Sequence, residues 1–131
     1  MDPIVQATEI LRDCIAPVVR RINVDEFTTV EFVDVLQQDE SGRQAYDLAV
    51  ARWPQDETLA KMVVHGQIIP ELLRMTGLVE WAGFAYDEED PYAIPAWWRR
   101  LRVPRHAVPG ADSRTGEFGG TPALVRLRLC R

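Results

Sequence analysis

The sequence predicts an α+β, mainly helical fold, in which a helical body is followed by a small antiparallel sheet. Three observations support this fold class. Apolar residues recur at helical spacing up to residue 76, helix-capping residues precede several of these stretches, and the periodicity becomes strand-like after Gly77. The 131 residues are 47% hydrophobic and 27% charged, which is enough for one soluble domain with its own core.

The first 26 residues predict an N-terminal helix within a single domain that spans residues 1–131. Asp2 can cap a helix whose first turn holds Pro3, and both residue types are typical of those positions. Pro17 is expected to kink this helix or to split it in two. The apolar stripe of the helix consists of Ile4, Ala7, Leu11, Cys14, Ile15, Val18 and Ile22.

Residues 27–95 are predicted to form the core of the domain, which begins with two further helices. Thr28 and Glu31 have the spacing of a capping box, and Ser41 is expected to cap the following helix. Tyr46 and Trp53 share a face of that helix and are expected to pack inward.

The longest amphipathic segment runs from residue 59 to residue 76, and Asp56 or Glu57 is expected to open it. Because Pro70 lies inside the pattern, the segment is either one kinked helix or two helices that meet at a turn near Gly66. Gly77 is expected to end the helix, since glycine readily adopts the left-handed conformation found there.

The C-terminal part is predicted to contain two strands. Aromatic residues and partial alternation indicate a strand over residues 78–86, and the acidic run at residues 87–90 is expected to form a turn. Residues 96–131 form an Arg-rich arm: a helical turn at 96–102, a loop at 104–122, and a strand with Val125, Leu127 and Leu129 on one face. Whether the two strands pair is left open.

The order of these elements resembles the winged-helix variant of the helix-turn-helix superfamily. The matching part covers roughly residues 27–90, where a leucine-rich helix end and a "GLV" exit lead into the strand. The residues that carry the resemblance are Ile68, Ile69, Leu72, Leu73, Gly77, Leu78 and Val79. It implies a recognition helix and a wing that bind DNA. If residues 59–76 form a single helix without a turn at Gly66, the resemblance to a helix-turn-helix no longer applies to this segment.

A nucleic-acid-binding or regulatory module is the leading hypothesis. Residues 1–90 hold 18 acidic and 7 basic residues, whereas residues 91–131 hold 2 acidic residues and 8 arginines, so the body is acidic and the arm is basic. The arm can bind nucleic acid, or it can fold back on the acidic body. The candidate nucleic-acid-binding residues are His65, Gln67, Arg74, Arg99, Arg100, Arg102 and Arg105.

The alternative hypothesis is a protein-interaction or dimerisation module of the same fold that does not bind DNA. Glu71 on the helix and the acidic run at residues 87–90 would repel the phosphate backbone. The candidate partner-interface residues are Val64, Ile68 and Met75, expected on the outward helix face, together with Trp97 and Trp98.

Catalysis is not expected, because the sequence lacks the common phosphate-binding, metalloprotease, dinucleotide-binding and nucleophile motifs. We also expect no cofactor and no metal, since His65, His106 and the two cysteines lack the short spacing of a zinc site. No apolar run approaches the ~20 residues that span a bilayer, and no signal peptide is evident, so a cytoplasmic protein without membrane contact is expected.

Overall fold

The computed structural model describes residues 2–102, and they form a mainly helical α+β fold with one three-stranded antiparallel sheet, as predicted. Residues 103–131, which include Arg105 and the predicted second strand, lie outside the described residues. The elements in chain order are α1 (Pro3–Arg12), α2 (Ile15–Arg21), β1 (Glu26–Thr28), α3 (Thr29–Gln38), α4 (Glu40–Val50), α5 (Glu57–Val63), a π-helical turn (Val64–Ile68), α6 (Ile69–Met75), β2 (Val79–Phe84) and β3 (Ala96–Arg100).

Local capping signals set most helix starts. The Asp2 side chain accepts a hydrogen bond from the Ile4 amide at 2.8 Å, and Thr28 with Glu31 forms the predicted capping box. Asp56 caps α5 as expected. The cap of α4 is Asp39 rather than Ser41, because the Asp39 carboxylate accepts from the Gly42 amide and α4 begins one residue before Ser41.

The N-terminal helix is split in two, one of the two outcomes expected from Pro17. α1 ends at Arg12 and α2 starts at Ile15, so that Pro17 lies in the first turn of α2, where a missing amide proton costs little.

The chain from Glu57 to Met75 is one continuous helix, of which residues Val64–Ile68 are π-helical. The amide of Ile69 donates to the carbonyl of Val64, five residues back, which is the wider π spacing. Pro70 explains the widening, because its ring would clash with the carbonyl of residue 66 in a regular α-helix. No turn lies at Gly66, so the helix-turn-helix comparison there does not hold. Gly77 ends the helix with φ 72°, as predicted.

The sheet has the strand order β1-β3-β2, with β3 antiparallel to both neighbours. The prediction of a helical turn at residues 96–102 is therefore wrong, because Ala96–Arg100 forms the central strand. The residues at this position alternate, with Ala96 and Trp98 buried and Trp97 and Arg99 exposed, and the two neighbouring strands satisfy the backbone. Pairing with β1, which is distant in sequence, decides this conformation.

The core lies between the inner sheet face and the helices. Trp98, Phe27 and Phe32 are its largest fully buried side chains. The indole Nε1–H of Trp98 donates to Thr29 Oγ1 at 2.9 Å, so the ring is buried without an unpaired polar atom. Within residues 2–102, no helix is both long and apolar enough to cross a bilayer.

Candidate functional site

The arginines of β3 are held by contacts within the domain. The Arg100 guanidinium donates to the carbonyls of Val19 and Ile22 at the end of α2, and its Nε–H donates to the Val24 carbonyl at 3.4 Å. Arg99 forms ion pairs with Glu26 and Glu80, each at 3.2 Å, on the outer sheet face. Both arginines were predicted to bind nucleic acid. In the structure, the hydrogen bonds of Arg100 instead connect the end of α2 to the sheet.

The remaining predicted nucleic-acid-binding residues differ in their exposure. Gln67, Arg74 and Arg102 are exposed, and Arg74 lies 3.5 Å from Glu71 with its guanidinium over the buried Trp98 ring. His65 is buried, so the expectation that its ring is presented outward to a ligand is wrong. The π-helical turn rotates it towards α4 and the segment between β2 and β3.

The predicted partner-interface residues are also divided by the fold. Val64 and Ile68 are buried, so their predicted outward orientation is wrong. Trp98 is also buried, and all three belong to the core rather than to an exposed interface. The helix packs on α1, α2 and the sheet with a wider apolar face than the spacing indicated. Met75 and Trp97 are exposed, and they lie on the last turn of α6 and the outer face of β3.

His65 instead joins three elements through a hydrogen-bonded chain, the His65 network, which consists of Tyr46, His65 and Asp90. The Tyr46 hydroxyl lies 2.6 Å from His65 Nε2, and His65 Nδ1 lies 2.9 Å from Asp90 Oδ2. The side chains of His65 and Asp90 are only 8% and 4% exposed. The other Asp90 oxygen accepts from the Tyr92 amide at 2.9 Å. The acidic turn at residues 87–90 thus contributes a buried carboxylate.

The Tyr46 hydroxyl keeps its proton in this environment. Burial raises the pKa of Tyr46 strongly, and the nearby Tyr92 and Asp90 raise it further. In the tautomer of His65 that carries its proton on Nδ1, Nδ1–H donates to Asp90 and Nε2 accepts from the Tyr46 hydroxyl. A tyrosine whose pKa is raised is a poor nucleophile, so the arrangement is suited to holding elements together rather than to covalent chemistry.

The π-helical turn lets the residues between β2 and β3, the 85–95 segment, approach the helix. An added Cβ on Gly66 would lie 3.2 Å from the Ala93 side chain, so the absence of a side chain at Gly66 permits this close contact. Tyr92 packs edge-on against His65 with ring centroids 5.2 Å apart. The His65 network and these contacts fix the 85–95 segment to the helical body.

An exposed apolar cluster, the aromatic surface, lies on β2 and the 85–95 segment and consists of Trp81, Phe84, Tyr86 and Ile94. These side chains are 45%, 49%, 75% and 62% exposed. Trp81 and Phe84 meet edge-on at 5.4 Å between centroids, and Phe84 and Tyr86 at 5.6 Å. Clustered exposed apolar side chains of this size are typical of interaction sites rather than of ordinary surface.

Two depressions adjoin the aromatic surface and share Ile94. One, of ≈ 250 Å³, lies between α6 and the inner sheet face and is lined by Pro70, Arg74, Trp81 and Phe84 among others. The other, of ≈ 620 Å³, is lined by Tyr86, Pro91 and Pro95 together with Glu88, Glu89 and Asp90. The apolar lining of the smaller depression therefore lies next to the acidic lining of the larger one.

The electrostatic balance of the described residues is acidic. Residues 2–102 contain 18 acidic and 10 basic side chains, a net charge of −8. Within these residues, no group of three or more His, Cys, Asp or Glu side chains is arranged to hold a metal ion.

The sequence signals for this surface were incomplete. The aromatic enrichment of residues 81–86 predicts a strand, but a bulge between Trp81 and Phe84, with Gly83 at φ 113°, interrupts the alternation. The two-residue alternation of a regular strand therefore does not predict that both Trp81 and Phe84 are exposed. The pairing of His65 with Asp90 has no local signal, because 25 residues separate them.

Comparisons with known proteins give no family for this chain. No protein-family model matches the sequence, and neither a curated protein nor a solved structure matches it.

Proposed function

We propose that this chain is a small, non-catalytic binding module that docks a polypeptide partner on the aromatic surface. Of the resemblance, only the order of elements supports this proposal: a helical body is followed by an antiparallel pair of strands, β2 and β3, which we call the wing. In this proposal the wing is the binding element, and the continuous helix Glu57–Met75 supports it.

The observation that carries the proposal is the aromatic surface itself. Four large apolar side chains lie next to one another and are exposed to solvent. Two of them are on β2 and two are on the 85–95 segment, which the His65 network holds in place. Aromatic side chains are enriched at protein interfaces because they bury a large area with few rotatable bonds.

The charges disfavour DNA as the ligand of this surface. The described residues carry a net charge of −8, and Glu88 and Glu89 lie beside Tyr86. Phosphate contacts supply most of the affinity in non-specific DNA binding, and they need unpaired basic groups. Arg99 and Arg100 are engaged with carboxylates and carbonyls, so neither presents a freely available cation.

The proposal can be tested by selecting a phage-displayed random-peptide library on the full chain. We expect enriched peptides whose binding is lost in Phe84→Ser and in Tyr86→Ser. The matched control is Leu59→Ser, which alters an apolar residue of similar exposure on α5. Urea unfolding of each variant verifies that the fold is intact.

A second arm uses fluorescence anisotropy with a mixed-sequence DNA duplex. We expect no measurable binding at physiological salt. Binding that falls steeply with salt, combined with no peptide that depends on Phe84 or Tyr86, would overturn the proposal in favour of nucleic acid.

A further inference from the structure

We infer that the partner docked on the aromatic surface is an extended polypeptide segment that combines apolar side chains with basic ones. This inference rests on the proposed function and adds the chemistry of the partner to it. The argument uses the shape of the two depressions and the charges around them.

The smaller depression selects an apolar side chain. Its volume of ≈ 250 Å³ lies below the ~300–1,000 Å³ of clefts that hold whole small molecules, and its walls include Pro70, Trp81 and Phe84. Among the described residues that line it, Arg74 is the one cation, and it already lies beside Glu71 and over the Trp98 ring. An aliphatic side chain can therefore enter without leaving a polar group unpaired.

The larger depression selects a basic side chain. Glu89 is exposed at its edge, Glu88 accepts a hydrogen bond from Thr28 at 3.1 Å, and the Tyr86 ring is largely exposed beside them. A guanidinium or ammonium group can contact the face of an aromatic ring and the carboxylates together. An acidic partner would meet charge of its own sign.

Because Ile94 borders both depressions, the apolar and basic side chains of the partner must be near neighbours on one segment. Proline at positions 91 and 95 limits the backbone freedom of the 85–95 segment, and the His65 network anchors its middle. The surface is thus pre-organised, which reduces the entropy lost on binding.

The test measures anisotropy of two labelled synthetic peptides on the full chain, one repeating leucine-serine-arginine-serine and one repeating leucine-serine-glutamate-serine, because side chains two residues apart share a face of an extended chain. We expect the arginine peptide to bind at least about tenfold more tightly. Glu89→Gln should weaken its binding about two- to fivefold, as is usual for one exposed charge pair, and the control Glu40→Gln on α4 should leave it unchanged.

Equal affinity for the two peptides, or no dependence on Glu89, would overturn the inference about the partner's chemistry. If the library selection still yields peptides that depend on Phe84, the proposed function survives that result. If the selection also fails, both proposals fall.

Two further outcomes would assign the surface to another occupant. Residues 123–131 of this chain also combine leucine and valine with arginine. Tighter peptide binding in the full chain carrying Arg126→Glu and Arg128→Glu would show that this segment already competes for the surface, and it would overturn an external partner. A dimer in light scattering that Tyr86→Ser dissociates would instead assign the surface to a second copy of the chain.

Discussion

Removing the Tyr46 hydroxyl should reveal how much the His65 network stabilises the domain. In Tyr46→Phe the ring packing is kept, but His65 Nε2 loses its partner at 2.6 Å in a buried site. Leaving one buried polar atom unpaired costs about 1–3 kcal/mol. For a domain between 100 and 150 residues, each kcal/mol lowers the melting temperature by roughly 4 °C.

The assay is urea unfolding followed by tryptophan fluorescence, because Trp98 is buried in the core. The matched control is Tyr86→Phe, which removes the same hydroxyl from a side chain that is 75% exposed and should change the free energy of unfolding by less than about 0.5 kcal/mol. In an Asp90→Ala background Tyr46→Phe should cost less, with a coupling of about 0.5–3 kcal/mol, since His65 is then no longer held at Nδ1. If Tyr46→Phe and Tyr86→Phe are equally stable, the network does not hold the 85–95 segment and the reasoning is refuted.

Three further predictions follow from the same contacts. Gly42→Ala should destabilise the domain by about 1–3 kcal/mol despite the better helix propensity of alanine, because its Cβ would clash with the Leu36 carbonyl oxygen; Gln44→Ala on the same helix is the control in thermal unfolding. Arg100→Gln should lower the free energy of unfolding by about 1.5–3 kcal/mol, measured in urea, whereas the exposed Arg102→Gln should not; equal effects would contradict the role of Arg100 in closing α2. Burial raises the pKa of Tyr46 above its unfolded value of about 10, so the stability that the protonated hydroxyl contributes is complete below about pH 10 and declines at higher pH. The free energy of unfolding of the wild type, measured in urea against pH, should therefore fall more steeply above about pH 10 than that of Tyr46→Phe. Parallel pH profiles would contradict this prediction.

The aromatic surface and the His65 network are linked through the 85–95 segment. Asp90 lies in the middle of that segment, while Tyr86 and Ile94 lie towards its two ends. A substitution that frees Asp90 is therefore expected to reduce peptide binding as well as stability, although it touches none of the docking side chains.

Features that depend on neighbours in the chain were determined by the sequence alone. The capping box of Thr28 and Glu31, the break before Pro17 and the left-handed Gly77 each need only residues a few positions apart, so local chemistry decides them. The helical class of the body follows from amphipathic spacing in the same way.

Features that depend on distant partners were decided by the tertiary structure. Residues 96–100 form a strand because β1 and β2 supply their hydrogen bonds, and Val64 and Ile68 are buried because the π-helical turn directs them to the core. Asp90 is buried because His65, 25 residues away, compensates its desolvation. Periodicity reports which face of an element is apolar, but it does not report which part of the chain will cover that face or leave it open to a partner.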